Sequence, residues 1–316
     1  MAETLARKTP QEQEEGQRGR PPVSQDPRER LLAGMPVTER RLELAGVSTA
    51  VLEGGHGPPV MLLHGPGEYA AKWMRVIPDL VTAYRVVAPD LPGHGTSAVV
   101  DDPLDVKRVL AWLGELIERT CPTTTPTLVG QILGGAIAAR FASYRSDRLS
   151  QLVLVDTLGL APFQPAPEFG RALTEFIAEP TEDTHDRLWQ RCAFDLDRMR
   201  DRMGKSWGWV KAYNLDRARV PSLQAAQHGL MEQFGMSAIP AAELARITVP
   251  TTLIWGRQDL ATQLRIAEAA SARYGWPLHV IENAGDDPPM EQPEAFLKAL
   301  RAALRSPGPA EQRRQP

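Results

Sequence analysis

The sequence predicts an α/β protein, a mostly parallel sheet flanked by helices, and three observations carry that expectation. From Arg40 onward, short apolar runs bounded by Gly, Pro and Asp alternate with stretches whose apolar residues recur every three or four positions. The order strand, helix, strand calls for crossover connections, which join parallel strands. One interval, from about Gly159 to Arg246, has no convincing strand and reads as helices rich in Arg, Asp, Trp and Met, so a helical insertion divides the sheet-forming segments.

Taken in order, residues 1 to 35 are charged and rich in Gln and Pro, as is the tail from residue 305 to 316. Neither buries enough apolar surface to offset the entropy of ordering, so both are expected to be disordered, and neither has the apolar run of a signal peptide or membrane span. Eight strands are expected: Arg41–Ala45, Ser48–Gly54, Pro59–Gly65, Arg85–Asp90, Thr127–Gly130, Gln151–Asp156, Thr251–Gly256 and Leu278–Asn283. Their β-branched and aliphatic content fits a pleated, buried surface. Helical spacing covers Ala70–Val81, Val106–Arg119, Gly134–Tyr144, Leu264–Tyr274 and Glu294–Leu304. The sheet-forming core then comprises 36–158 and 247–304, with the insertion at 159–246. An insertion leaving the carboxyl end of a parallel strand roofs the crevice where such folds bind ligands.

Composition narrows the function. Lys and Arg total 36 against 39 Asp and Glu, dispersed along the chain, so no field for nucleic acid or a membrane surface is present. Cys121 and Cys192 are too few and too far apart for a zinc site or a disulfide framework, which fits a reducing cytoplasm. Neither metal-ligand spacing nor a phosphate-cradling loop occurs, so no cofactor is expected. The expected partner is a hydrophobic small molecule, with no nucleic acid and no membrane.

Four landmarks sharpen this reading: LLHGPG with Trp73 following, APDLPGHGTS, LVGQILGGAIAARFA, and WGRQD followed by AGDDPPMEQPEAF. In this order, each at the end of an expected strand, they resemble the cap-bearing branch of the α/β-hydrolase superfamily: epoxide hydrolases, haloalkane dehalogenases and carbon–carbon bond hydrolases. The resemblance covers Arg40 to Ala303 and implies an α/β-hydrolase fold with a helical cap. It places the nucleophile at the centre of a G-x-Nu-x-G turn, which here is Gly130-Gln131-Ile132-Leu133-Gly134. Ile132 has no lone pair with which to attack. Aligning on Pro288, Glu291 and Pro293 puts Asp286 at the family's histidine position, while Asp259 matches the family acid. The oxyanion donors map to Leu133 and to Pro66, beside Gly67. Proline has no N–H, and loss of one such donor costs about 2.7–4 kcal/mol of transition-state stabilisation.

Three requirements of acyl transfer thus fail together. Superimposing the acid and histidine positions brings Asp259 and Asp286 together beside Ile132, where repulsion and burial would leave one carboxyl protonated near neutral pH, as in paired catalytic acids. The other arrangement has Asp286 in solvent or capping a turn with Asp287. The first favours a non-hydrolytic acid/base enzyme of lyase, isomerase or cyclase type, and the second a silent ligand-binding or scaffolding protein. His64 and His94 sit in loop motifs and are expected to brace them; His185 and His228, in the insertion, either swing toward the crevice or are solvated surface residues. Trp189, Trp207 and Trp209 either line a pocket or form the insertion's own core. Without a nucleophile to present, Ile132 either relaxes to ordinary dihedrals, the expected outcome, or keeps a strained backbone because the contacts of Gly130 and Gly134 impose it.

Overall fold

The computed structural model describes residues 26–100 and 104–305. A nine-stranded sheet runs through it: β1 (Thr38–Leu44), β2 (Val47–Gly54), β3 (Pro59–Leu63), β4 (Arg85–Pro89), β5 (Ala98–Val99), β6 (Thr127–Gln131), β7 (Gln151–Val155), β8 (Thr251–Gly256) and β9 (Leu278–Ile281). The order is β1-β2-β4-β3-β6-β7-β8-β9, antiparallel where β2 meets β1 and β4 and parallel from β4 to β9. Every residue of β3, β6, β7 and β8 is buried, which is why these strands read as unbroken apolar runs. Edge strand β1 buries only Leu42 and Leu44. All eight expected strands form. The two residues of β5, paired with β2, carry too little pattern to be read from sequence.

Ten helices are labelled here: α1 (Pro27–Leu32), α2 (Val106–Thr120), α3 (Leu133–Arg145), α4 (Pro167–Ala178), α5 (Glu182–Cys192), α6 (Leu196–Met203), α7 (Lys205–Ala218), α8 (Pro221–Leu230), α9 (Leu264–Tyr274) and α10 (Pro293–Arg305). α2 shows how the pattern works. Its Val109, Trp112, Leu113, Leu116 and Ile117 share one buried stripe, and Asp105 caps it by accepting the Arg108 N–H at 2.7 Å. α2, α3 and α9 pack on one face of the sheet, while Trp73, Phe296 and Leu300 pack on the other with α1 and part of the insertion. The segment expected as one helix from Ala70 to Val81 is instead a 3₁₀ helix, Ala70–Arg75, followed by a short turn, Ile77–Leu80. Pro78 supplies no N–H for a continuous α-helical ladder.

The expectation of disorder through residue 35 is corrected by α1; residues 1–25 and 306–316 lie outside the described residues. Charge concealed α1, because what it buries is partly ionic. The Arg28 guanidinium ion-pairs with Glu39 and Asp90, both at 2.9 Å, and donates to the Tyr213 hydroxyl at 3.3 Å. One residue therefore joins α1, the loop after β4 and helix α7 of the insertion. Asp90 is fully buried, and removing its cation strands that charge. Arg28→Ala should destabilise the fold by about 3–5 kcal/mol, read by urea denaturation.

Between β7 and β8 lie α4 to α8, a π-helical turn at Met231–Gly235 and a short turn at Ala241–Leu244, with no strand, as expected. Among the described residues no helix is long and apolar enough to cross a membrane.

Candidate functional site

The turn from β6 into α3 organises the site. Ile132 stands between them at φ 47°, ψ −105°, a conformation a β-branched residue rarely adopts. The expected relaxation does not occur, because the packing of strand against helix dictates the turn. A Cβ on Gly130 would stand 2.4 Å from the Gly134 carbonyl, and one on Gly134 would stand 2.5 Å from that of Leu63. The Ile132 N–H also donates to Val155 at 3.0 Å, and its carbonyl accepts from Ala136 and Leu158 at 3.2 and 3.1 Å. Strain on the order of 1–3 kcal/mol is held by these neighbours.

Above Ile132 lies a cavity of about 680 Å³ between sheet and insertion. Its far wall is apolar, with Phe163, Phe169, Leu173, Phe176 and Met231, while Glu68, Lys72, Asp286 and Asp287 form a polar end and Pro66 and Gly67 line the core side. Of the three tryptophans, Trp189 reaches the cavity. Trp207 packs edge-on against Trp189 with ring centroids 5.0 Å apart, and Trp209 joins the apolar core beneath Arg30. Both alternatives were therefore realised, one in each direction. Leu133 is buried at the start of α3.

Asp286 is held at the cavity wall by its backbone. Its N–H donates to the Cys192 carbonyl at 3.1 Å, and its own carbonyl accepts from Gln131 Nε2 at 3.0 Å. The residue is only 6% exposed. Burial, then the charges of Asp259 and Asp287, push it well above the usual carboxylate range against the pull of Lys72. The Asp286-in-solvent arrangement is thus excluded. Asp259 is buried as well, but its oxygens are engaged by the loop after β8: Oδ1 accepts the N–H groups of Ala261 and Thr262 at 2.6 and 2.8 Å, and Oδ2 the Thr262 hydroxyl. Burial raises Asp259 while those bonds oppose the rise. It stands behind the wall as a neighbouring charge rather than facing the cavity.

Several functional groups escaped the sequence reading. Asp156, at the end of β7, accepts the Gly256 N–H at 2.8 Å; burial and the Asp259 charge hold its carboxyl well above the usual range. An acid closing a central parallel strand was a usable signal. Lys72 is buried and ion-pairs with Glu68 and, at 3.0 Å, with Asp287; a lysine inside the apolar stretch AAKW was its only trace. His185 is fully buried rather than solvated, and burial lowers it to about 4, so it is neutral. Its Nδ1 faces Asp186 and its Nε2 faces Asn214, each at 3.3 Å. His228 is exposed at the cavity mouth, beside Glu232. His64 braces its loop, with Nδ1 at 2.8 Å from the Gly65 carbonyl and Nε2 accepting the Leu91 N–H at 2.9 Å. Burial keeps it neutral, in keeping with that tautomer. Among the described residues no group of three or more His, Cys, Asp or Glu is placed to hold a metal ion.

Fold and turn define the class. The chain belongs to the Alpha/beta hydrolase family, whose pattern it matches over residues 60–299. It is 28% identical to the 2-hydroxy-6-oxo-6-(2'-aminophenyl)hexa-2,4-dienoic acid hydrolase of Metapseudomonas resinovorans, covering 84% of this chain and 90% of that protein. It is 27% identical to the pimeloyl-[acyl-carrier protein] methyl ester esterase of Aeromonas hydrophila, covering 80% and 98%. The solved 2-hydroxy-6-oxo-6-phenylhexa-2,4-dienoate hydrolase of Rhodococcus sp. strain RHA1 superimposes with a TM-score of 0.73 at 26% identity, over 85% of this chain and 99% of that one.

Proposed function

We propose that the cavity is the active site of a non-hydrolytic acid/base enzyme, of lyase, isomerase or cyclase type, acting on an apolar organic molecule with an acidic C–H next to a carbonyl. The relatives named above are hydrolases, and the two with dienoic names act on conjugated oxo acids; for this chain we take the carbonyl and leave the hydrolysis. The nucleophile position is read as Ile132, which has no atom to attack with, and the histidine position as Asp286. One observation carries the proposal: a buried carboxyl, pushed well above the usual carboxylate range, lines the cavity with Ile132 and is placed to give and take a proton. Asp286 transfers the proton. Asp259 and Asp156 act through it, by charge and by position. Pro66 contributes no N–H to an oxyanion site, which leaves Leu133 as the one donor of the mapped pair, with Gly67 beside it. The core at 36–158 and 247–304 supplies the carboxyls, and the insertion at 159–246 supplies the apolar wall as a cap.

A binding protein without turnover is the second reading, favoured by the withdrawal of Asp259 into its own loop. Capture separates the two. Purified protein is incubated with a small-molecule extract and its bound species are identified by mass spectrometry, then the capture is repeated with Asp286→Asn. The enzyme reading expects a species that the variant accumulates and the natural protein converts; the same unconverted species on both would establish a binder. A related expectation is that activated esters are cleaved no faster than by an unrelated protein and that a fluorophosphonate leaves the chain unlabelled. Stoichiometric labelling of one Ser would overturn the proposal.

A further inference from the structure

The polar end of the cavity is short of positive charge. Glu68, Asp286 and Asp287 line it with a single ammonium, Lys72, which already ion-pairs with Glu68 and with Asp287 at 3.0 Å; the guanidinium of Arg217 also lines the cavity but is not among the charges that shift Asp286. Asp286 is the carboxyl left over. Among the described residues its side chain receives no hydrogen bond from a backbone N–H or a cationic group. The Cys192 thiol, a weak donor, lies against it. The groups packed around it add acids rather than cations: Asp259 from the loop after β8, Asp287 beside it and Glu291 one turn on, with Asp156 farther behind. Lys72 is the one opposing charge that reaches it. A buried carboxyl in such company either keeps its proton or takes a cation from a ligand. An anionic ligand head would join this cluster of acids. The lining also offers aromatic surface of the kind organic cations favour, from Trp189, over whose ring the Lys72 ammonium lies at 5.4 Å, and from Phe169 in the apolar wall.

We infer that the cavity's ligand is an apolar molecule carrying a protonated amine, seated with its ammonium on Asp286 and its body along the apolar wall. This rests on, and narrows, the reading of the cavity as a substrate site. Binding sets the protonation state: the neutral carboxyl loses its proton to solvent as the ammonium arrives. One carboxylate oxygen then holds the amine and the other is free to abstract a proton from carbon. Substrate charge thereby generates the base.

Phenylbutylamine, phenylbutanol and phenylbutanoate differ only in the head group. Titration calorimetry at pH 7 should show the amine binding about tenfold or more tighter than the alcohol, with the carboxylate weakest. Repeating the amine titration in buffers of different ionisation heat should show net proton release. Asp286→Asn should abolish both the release and the preference, so that amine and alcohol bind alike. The inference is overturned if the alcohol or the carboxylate binds as tightly as the amine, if none of the three binds, or if the variant weakens all three alike. Amine preference in a protein that shows no proton exchange with a ketone would defeat the acid/base reading alone, and exchange without amine preference would defeat this inference alone.

Discussion

Asp286→Asn should make the fold more stable at neutral pH, an unusual outcome for a substitution at a buried polar position. Burial and the charges of Asp259 and Asp287 raise the Asp286 carboxyl well above its unfolded value, so over that interval the native state holds a proton that the unfolded chain has lost. Stability contributed by the protonated group is fully present below about pH 4 and falls as pH rises toward the folded value, by up to about 1.4 kcal/mol per pH unit. Asn cannot ionise, so the variant escapes that loss. Urea denaturation at a series of pH values should show the two proteins closest in acid and the variant increasingly ahead toward pH 7. A variant less stable than the natural protein at pH 7 would mean that the carboxylate makes favourable contacts, contrary to its position among acids.

Gly256→Ala should be among the most damaging single substitutions in the chain. A Cβ there would stand 1.8 Å from the Gly285 carbonyl and 2.7 Å from that of Ala284, both rigid backbone. The end of β8 and the loop carrying Asp286 would have to separate, at about 3 kcal/mol or more. That loop has little room elsewhere, since a Cβ on Gly285 would meet the Cys192 carbonyl at 1.9 Å. A folded Gly256→Ala protein should therefore lose ligand binding together with thermal stability. Retention of both would show that the loop is less tightly wedged than its contacts indicate.

The sheet was legible because its central strands are buried on both faces, and burial on both faces leaves continuous runs such as PVMLL and QLVLV. The elbow was legible as a sequence of glycines, but its dihedrals were not. The expectation of relaxation gave the glycine contacts too little weight: Gly130, Gly134 and the Leu63 carbonyl enforce the turn with Ile132 in it. Asp286 was found because a motif anchored it. Lys72, Glu68 and His185 were not, because their meaning depends on burial across elements distant in sequence: Lys72 meets Asp287 over more than two hundred residues. α1 was hidden for a related reason, an arginine reading as solvated when its charge is matched inside by Asp90 and Glu39.

We propose that Asp286 moves protons in a cavity beside a strand-to-helix turn centred on Ile132. The most direct measurement is solvent deuterium entering the carbon next to the carbonyl of an aryl ketone, followed by NMR in the presence of the protein. Protein-dependent exchange should fall about a hundredfold or more in Asp286→Asn and survive prior treatment with a fluorophosphonate. Exchange at the same rate in the variant, or exchange abolished by the fluorophosphonate, would contradict it.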